Sequence, residues 1–402
     1  MRMYTEHFNF NILPFENVPD PLFFYDQGDH ARIRKQISGS LQSGRGLIVV
    51  TGPIGSGKTT LSQMIKSDFP ENIQLIWMAE PPANSADLYL FVAQELGIQP
   101  SSSERTFVMR DIRNALLNIN SEGKKCLVIM DESHLMSDDV INGVRLLNNL
   151  EEGALKLIQL LLLGQEELME KINKPAMEPF KQRIAALEIL GKMNVEVIRK
   201  YISHRLKVAG GTPALISDTG WEALSIAFHS GGTPRTINSL CDRAFSVAFE
   251  REKPIVDAHD IYEATQRLGL RTDVFHYIVS LKSKERKNQE AQSVTDNPTP
   301  ETATSDKEQS SSPMIKKVNE RSSEEIPPSL SNARIRYNVA DPTYDEIAKE
   351  IKAKYEQKSL KIPVTLLLIS IIAFTLSILF FCHQTESTGF IGCLIDLFGY
   401  QK

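Results

Sequence analysis

Gly52-Pro53-Ile54-Gly55-Ser56-Gly57-Lys58-Thr59-Thr60 satisfies the pattern G-x-x-x-x-G-K-[ST], in the surroundings that pattern needs. The apolar run Leu47-Ile48-Val49-Val50 before it reads as a buried parallel strand, and the mixed polar and apolar stretch 59–69 reads as a helix. Glycines let the backbone curl so that several N–H groups and the helix N-terminus face an anion, where a β-carbon would crowd it. Lys58 is then placed to reach the β- and γ-phosphates of a nucleoside triphosphate, and Thr59 to ligate Mg²⁺. The expectation is an α/β protein of the P-loop type, with ATP and Mg²⁺ as its ligands.

Downstream, Leu127-Val128-Ile129-Met130-Asp131-Glu132 is an apolar strand ending in two carboxylates. After a P-loop this is the expected second half of the site: Asp131 holds Mg²⁺ through water, and Glu132 polarises the water that attacks the γ-phosphate. The apolar stretch 157–163 ends at Gly164-Gln165, where an amide beside the Asp131 strand orients water or senses the γ-phosphate, the role called sensor 1. Arg235, at the start of a later helix, reaches across to the γ-phosphate as sensor 2 and couples nucleotide state to lid position. Arg183, in Phe180-Lys181-Gln182-Arg183-Ile184, is the first candidate for an arginine finger acting on a neighbouring subunit's nucleotide; Arg145 is the second.

Strand-like runs at 47–51, 74–78, 126–130 and 157–163 alternate with helical patterns through residues 1–192, as a parallel sheet covered by helices requires. From Asn194 the strands stop. Four helix starts follow, at Asn194, at Ser217 or Asp218, at Thr233 with Pro234 in the first helical position, and at Asp257 with Asp260, so 193–281 reads as an all-helical lid. No aromatic residue occurs between Tyr277 and Tyr337, and 282–343 reads as a disordered linker unable to offset its ordering entropy by burial.

Residues 344–361 read as a basic juxtamembrane helix with Ile347, Ile351 and Tyr355 on one face. Residues 362–382 carry no charge and are long enough to cross a bilayer as a transmembrane helix. Lys349, Lys352, Lys354, Lys358 and Lys361 precede this span and only Lys402 follows it, which puts residues 1–361 in the cytoplasm and 383–402 outside as a short tail. The expected location is therefore the inner membrane, single-pass, with a periplasmic C-terminus. A net charge of −5 gives no basic surface for nucleic acid, so DNA is not an expected partner. The four cysteines lack C-x-x-C spacing, which argues against zinc or a disulfide framework; Cys126 and Cys241 read as small core residues.

Met3-Tyr4-Thr5-Glu6-His7-Phe8, Pro14-Phe15 and Pro19-Asp20-Pro21 are followed by Asp131-Glu132-Ser133-His134, Arg145-Leu146-Leu147-Asn148-Asn149-Leu150-Glu151 and Leu163-Gly164-Gln165-Glu166-Glu167-Leu168. Gly231-Gly232-Thr233-Pro234-Arg235-Thr236-Ile237-Asn238 and Leu240-Cys241-Asp242-Arg243-Ala244 complete the set. Over about residues 3–270 this resembles the AAA+ ATPases and, more narrowly, the ExeA (GspA) family of general, or type II, secretion. The resemblance implies a cytoplasmic ATPase with a single span, a homo-oligomer, and a part in carrying or assembling the secretin channel through peptidoglycan. Two departures bear on this. Family members often continue past the span into a peptidoglycan-binding part, whereas this sequence ends about twenty residues later, so peptidoglycan binding is expected to come from a partner. After Gln182-Arg183-Ile184 the family usually carries a further arginine, and here Ala185-Ala186-Leu187-Glu188 stands instead.

Three functions fit these features. The first is a membrane-anchored ATPase serving a secretion system or type IV pilus. The second is a DNA-transposition ATPase regulator of the same AAA+ subgroup, opposed by the span and by the charge. The third is an ATP-dependent oligomerisation switch with incidental hydrolysis.

Overall fold

The computed structural model describes residues 4–68, 73–153, 155–270, 272–295 and 346–353. Its strands are β1 (Leu47–Thr51), β2 (Ile73–Met78), β3 (Lys125–Met130), β4 (Glu151–Glu152), β5 (Leu155–Lys156), β6 (Ile158–Gly164) and β7 (Ile184–Ile189). Its helices are α1 (Tyr4–His7), α2 (Gly28–Gln42), α3 (Lys58–Ser67), α4 (Ser85–Glu95), α5 (Arg105–Ser121), α6 (Asp138–Leu147), α7 (Glu166–Ile172), α8 (Glu178–Lys181), α9 (Val195–Val208), α10 (Asp218–Ala227), α11 (Pro234–Glu250), α12 (Ala258–Arg267) and α13 (Val274–Thr295). The chain divides into two compact units after Val274.

In the first unit a parallel sheet runs in the order β2-β3-β6-β1-β7, with β4 and β5 as a separate antiparallel pair. Helices cover both faces, which is why the strands are continuous apolar runs. Side chains still alternate between two cores. Leu47, Val49, Val128, Met130, Leu160 and Leu162 pack with Leu88, Val92, Ile112 and Val144 from α4, α5 and α6. Ile48, Val50, Leu127, Ile129, Leu161 and Leu163 pack with Ile33, Ile37, Leu61 and Ile65 from α2 and α3. Thr51 lies opposite Gly164 and Met130 opposite Leu162, so β1, β3 and β6 all deliver their C-terminal residues to one end of the sheet.

Four strands of this sheet match the sequence expectation, and β7 was not anticipated. It is an edge strand with Leu187 and Ile189 exposed. Its buried Glu188 pairs with Arg32 of α2 at 3.1 Å. A carboxylate inside a half-exposed strand interrupts the apolar signal that marks the others.

The lid helices start where the sequence marks them. The side chains of Asn194, Ser217 and Thr233 accept from the N–H groups of Val197, Gly220 and Thr236, and Thr233–Thr236 and Asp257–Asp260 make reciprocal capping boxes. Residues 4–17, expected with the α/β part, pack on this lid. Tyr4 donates its hydroxyl to Asp242 at 2.7 Å, and the rings of Phe8, Phe10 and Phe15 gather around Phe245 of α11. Arg205 of α9, 5% exposed, donates to the carbonyls of Pro14 and Glu16 and stacks over Phe23.

In the second unit α13 continues to Thr295, so the linker expected from 282 is helical over its first residues. Absence of aromatics measures how little can be buried; the Lys, Glu, Arg, Gln and Ala of this stretch are good helix formers regardless. Residues 346–353 are helical, Ile347 and Ile351 are buried, and Glu350 accepts from Arg286 at 2.7 Å. Among the described residues no helix is long and apolar enough to cross a membrane. The remaining linker residues 296–343, the span expected at 362–382 and the tail 383–402 lie outside the described residues.

Removing the Arg205 guanidinium leaves two main-chain carbonyls of the N-terminal segment without their donors. Arg205→Ala should lower unfolding free energy in urea by about 2–3 kcal/mol and expose residues 8–20 to limited proteolysis. An unchanged midpoint and cleavage pattern would mean the segment docks without it.

Candidate functional site

The P-loop leaves β1 at Thr51 and ends where α3 begins at Lys58. Gly55 and Gly57 take φ of +74° and +96°, a left-handed backbone that glycine adopts without strain. A β-carbon on Gly52 would overlap the Leu190 carbonyl, and one on Gly55 would overlap the β-carbon of Arg235. The loop therefore has backbone on one side and the lid on the other, and side chains at these glycines would close its phosphate cradle. His30 of α2, buried, donates Nε2–H to the Ser56 carbonyl at 2.8 Å and braces the loop from behind. Burial pushes the His30 pKa down and keeps the imidazole neutral in that role.

Lys58 donates to the carbonyls of Gly52 and Pro53 at 2.9 and 3.1 Å, which points its ammonium back over the loop. Burial lowers its pKa from the ordinary lysine value, and the carboxylates of Glu132 and Asp131 work against that shift. Thr59 donates its hydroxyl to Asp131 Oδ2 at 2.6 Å, joining the start of α3 to the end of β3. A hydroxyl and a carboxylate this close, at the mouth of a phosphate cradle, are the hard oxygen donors Mg²⁺ takes alongside phosphate and water. Among the described residues no group of three or more His, Cys, Asp or Glu side chains holds a metal by itself, so any ion here would depend on those further ligands.

One cleft is lined by Gly55, Gly57, Lys58, Thr59, Thr60, Glu132, Gln165 and Arg235, together with residues of the N-terminal segment and lid. Pro53 and Ile54 form the outer turn of the loop, Ile54 exposed, and Ser56 is buried beneath it. Gln165 comes to this cleft because it follows β6, which lies between β3 and β1, and Arg235 because its backbone N–H donates to the Gly55 carbonyl at 3.2 Å. The cleft thus brings together most of the motif residues read from the sequence; Asp131 is not in its lining but bonds Thr59, which is, and Arg145 and Arg183 lie outside it. Arg183 is exposed just before Ile184, whose partner on β1 is Leu47, so it sits at the opposite end of the sheet from the P-loop. Arg145 lies on α6 with its Nε buried and without a hydrogen-bond partner among the described residues.

Sequence reasoning assigns no site role to other lining residues, among them Phe23, Phe24, Tyr25, His30, Met193, Tyr201, Arg205 and Asn238. These residues come together only through the docking of the N-terminal segment between lid and P-loop. The signal available was the segment's own motif, Pro14-Phe15 and Pro19-Asp20-Pro21, which carries no chemistry that announces a cleft.

Residues 41–172 match the family model described as AAA domain. Over 273 residues the chain is 32% identical to general secretion pathway protein A of Aeromonas hydrophila, covering 67% of this chain and 50% of that one. The chain therefore spans about half the length of the curated relative it matches. Among solved structures, the Aeropyrum pernix ORC2 protein in its ADPNP-ADP complexes is similar at 16% identity and a TM-score of 0.46, over 67% of this chain and 76% of that one. The Thermotoga maritima RuvB Holliday junction branch migration motor is similar at 15% identity and a TM-score of 0.41, over 66% and 81%.

The meeting of Gly55 with Arg235 yields a test of the cleft. Gly55→Ala adds a methyl group where Arg235 already stands, on a backbone alanine rarely adopts, and should weaken ATP binding at least about tenfold by isothermal titration. Wild-type affinity would separate the lid contact from binding.

Proposed function

Because the chain is a homologue of general secretion pathway protein A with the AAA+ P-loop ATPase fold, we propose that it binds and hydrolyses ATP with Mg²⁺ to drive assembly or remodelling of an envelope machine, of type II secretion, secretin or pilus kind. The observation that carries this reading is the convergence of Lys58, Thr59, Glu132, Gln165 and Arg235 on one cleft, with Asp131 2.6 Å from the Thr59 hydroxyl.

In this reading Lys58 and the backbone N–H groups of 54–60 bind the β- and γ-phosphates. Thr59 and Asp131 would hold Mg²⁺, which when bound supplies charge neutralisation at the phosphate oxygens. Glu132 accepts the proton of the water that attacks the γ-phosphorus, as the bond to the leaving ADP oxygen breaks and that oxygen keeps the electron pair. Gln165 orients the water, and Arg235 closes the lid on the γ-phosphate. Arg183 reaches this chemistry only if a neighbouring subunit supplies it, which is why the proposal includes a homo-oligomer.

The proposed organisation is an ATPase part (1–192), a helical lid (193–281), a linker (282–343, beginning as helix), a basic helix (344–361), a span (362–382) and a short exterior tail (383–402). The lysines before the span and the uncharged run itself support a single-pass inner-membrane protein with a cytoplasmic ATPase. The absence of any basic bias in the sequence argues against DNA.

Lys58→Ala should abolish ATP binding, whereas Glu132→Gln should bind ATP as wild type and lose turnover. Titration calorimetry paired with phosphate release reads both, and a Lys58→Ala protein binding ATP at full affinity would end the site assignment.

The topology has its own test. Alkaline phosphatase fused after Lys402 should be active and a green fluorescent protein fused there dark, because the lysines before the span resist translocation. The reverse pattern rejects the orientation, and full recovery in the soluble fraction rejects the span.

A further inference from the structure

Glu132 is one of the few non-glycine residues of the described chain with a left-handed backbone, at φ +48°. Such a conformation persists where the surroundings fix it, and here they do. Glu132 N–H donates to Asp131 Oδ1 at 2.9 Å, Leu135 N–H donates to the Glu132 carbonyl at 2.9 Å, and Ser133 Oγ donates to the Met130 carbonyl at 2.8 Å. The turn after β3 thereby aims the side chains of Glu132 and His134 at each other. Nδ1 of His134 lies 3.3 Å from Oε2 of Glu132. Both atoms are shut off from solvent, and neither has a hydrogen-bond partner among the described residues. Two buried polar atoms left in this way are costly apart, and a small torsion converts their approach into a hydrogen bond.

The imidazole is the anchored member of the pair. Lys171 of α7 donates to the carbonyls of His134 and Met136 at 2.6 and 2.9 Å, clamping the short turn that carries it. Gly164 gives that turn room, since a β-carbon there would stand 3.1 Å from the His134 nitrogen. Glu132, by contrast, is 43% exposed along its side chain and lines the cleft beside Lys58 and Gln165.

We propose that His134 is a positioning residue for Glu132: its Nδ1–H holds Oε2, and the remaining oxygen is thereby presented to the attacking water. The proposal rests on the reading of Glu132 as the general base. His134 touches neither nucleotide nor water in this role, so its loss acts on turnover and spares binding.

The experiment uses the full-length chain, with ATP turnover, affinity for a fluorescent ATP analogue and thermal midpoint measured for Glu132→Gln, His134→Ala, His134→Asn and His134→Gln. His134→Ala should lower kcat roughly 10- to 100-fold with analogue affinity unchanged. His134→Asn places an amide N–H where Nδ1 stood and should recover most of the loss; His134→Gln, whose amide falls at the Nε2 position, should not. If His134→Ala fails to fold, the comparison of Asn with Gln carries the test. Turnover by His134→Ala within twofold of wild type, with Glu132→Gln inactive, overturns the role of His134 and leaves the site reading intact. Equal losses of turnover, affinity and thermal midpoint in all three His134 variants also overturn it, in favour of a structural histidine. Turnover by Glu132→Gln removes the base reading and this inference with it.

Discussion

The hydrogen bond from the Thr59 hydroxyl to Asp131, at 2.6 Å, joins two strands that are not neighbours. Thr59 lies in the first turn of α3 after β1, Asp131 directly follows β3, and β6 runs between β1 and β3. They meet only because all three strands run parallel, in a register that sets Thr51 opposite Gly164 and Met130 opposite Leu162. A one-residue slip of β6 would turn Leu160 and Leu162 to the opposite core and carry Gln165 out of line. The two packed cores thus hold the chemistry in place: alternation along buried strands sets the register, and the register sets which loop residues share the cleft.

Charge in the cleft is arranged around that pin. Lys58 is bound by two carbonyl oxygens, and its burial disfavours the ammonium while Asp131 and Glu132 favour it. Arg235 adds a second cation from the lid, and Glu166 a further carboxylate. Phosphate oxygens entering this set stabilise Lys58 and Arg235 in their charged forms and compete with the carbonyls for the Lys58 protons. The bracing from below adds no charge, because burial keeps His30 neutral while its Nε2–H still satisfies Ser56. The loop is therefore stiffened without a competing anion site behind it.

What the sequence revealed and what it hid divide by range. The P-loop, the Asp131-Glu132 strand end and the lid caps are local: each needs a few consecutive residues whose spacing alone states the geometry, and each is found where the spacing puts it. β7 was hidden because Glu188 is buried by a partner, Arg32, more than 150 residues away in sequence, which local alternation cannot report. α13 is hidden because the composition of this stretch reports how little it can bury, whereas its residues form helix without burial. The Glu132–His134 approach lay inside a motif already singled out, yet only the left-handed turn of Glu132 makes the two side chains converge.

The N-terminal segment shows why the cleft is larger than its motifs. It is held to the lid by Arg205, by Asn17 donating to Ser239 at 3.0 Å and by the rings around Phe245, and it then runs to Phe24, whose ring meets that of His30 edge-on. His30 in turn holds Ser56. The lid consequently touches the P-loop by two routes, directly through Arg235 and Gly55 and indirectly along this segment. A lid that swung away from Gly55 while keeping its grip on Pro14 and Glu16 would pull on the chain leading to α2. A lid that released them would expose Phe8, Phe10 and Phe15, three aromatic rings now buried. Either displacement carries a cost that the direct contact alone would not impose, so the position of the lid and the shape of the phosphate cradle are set together.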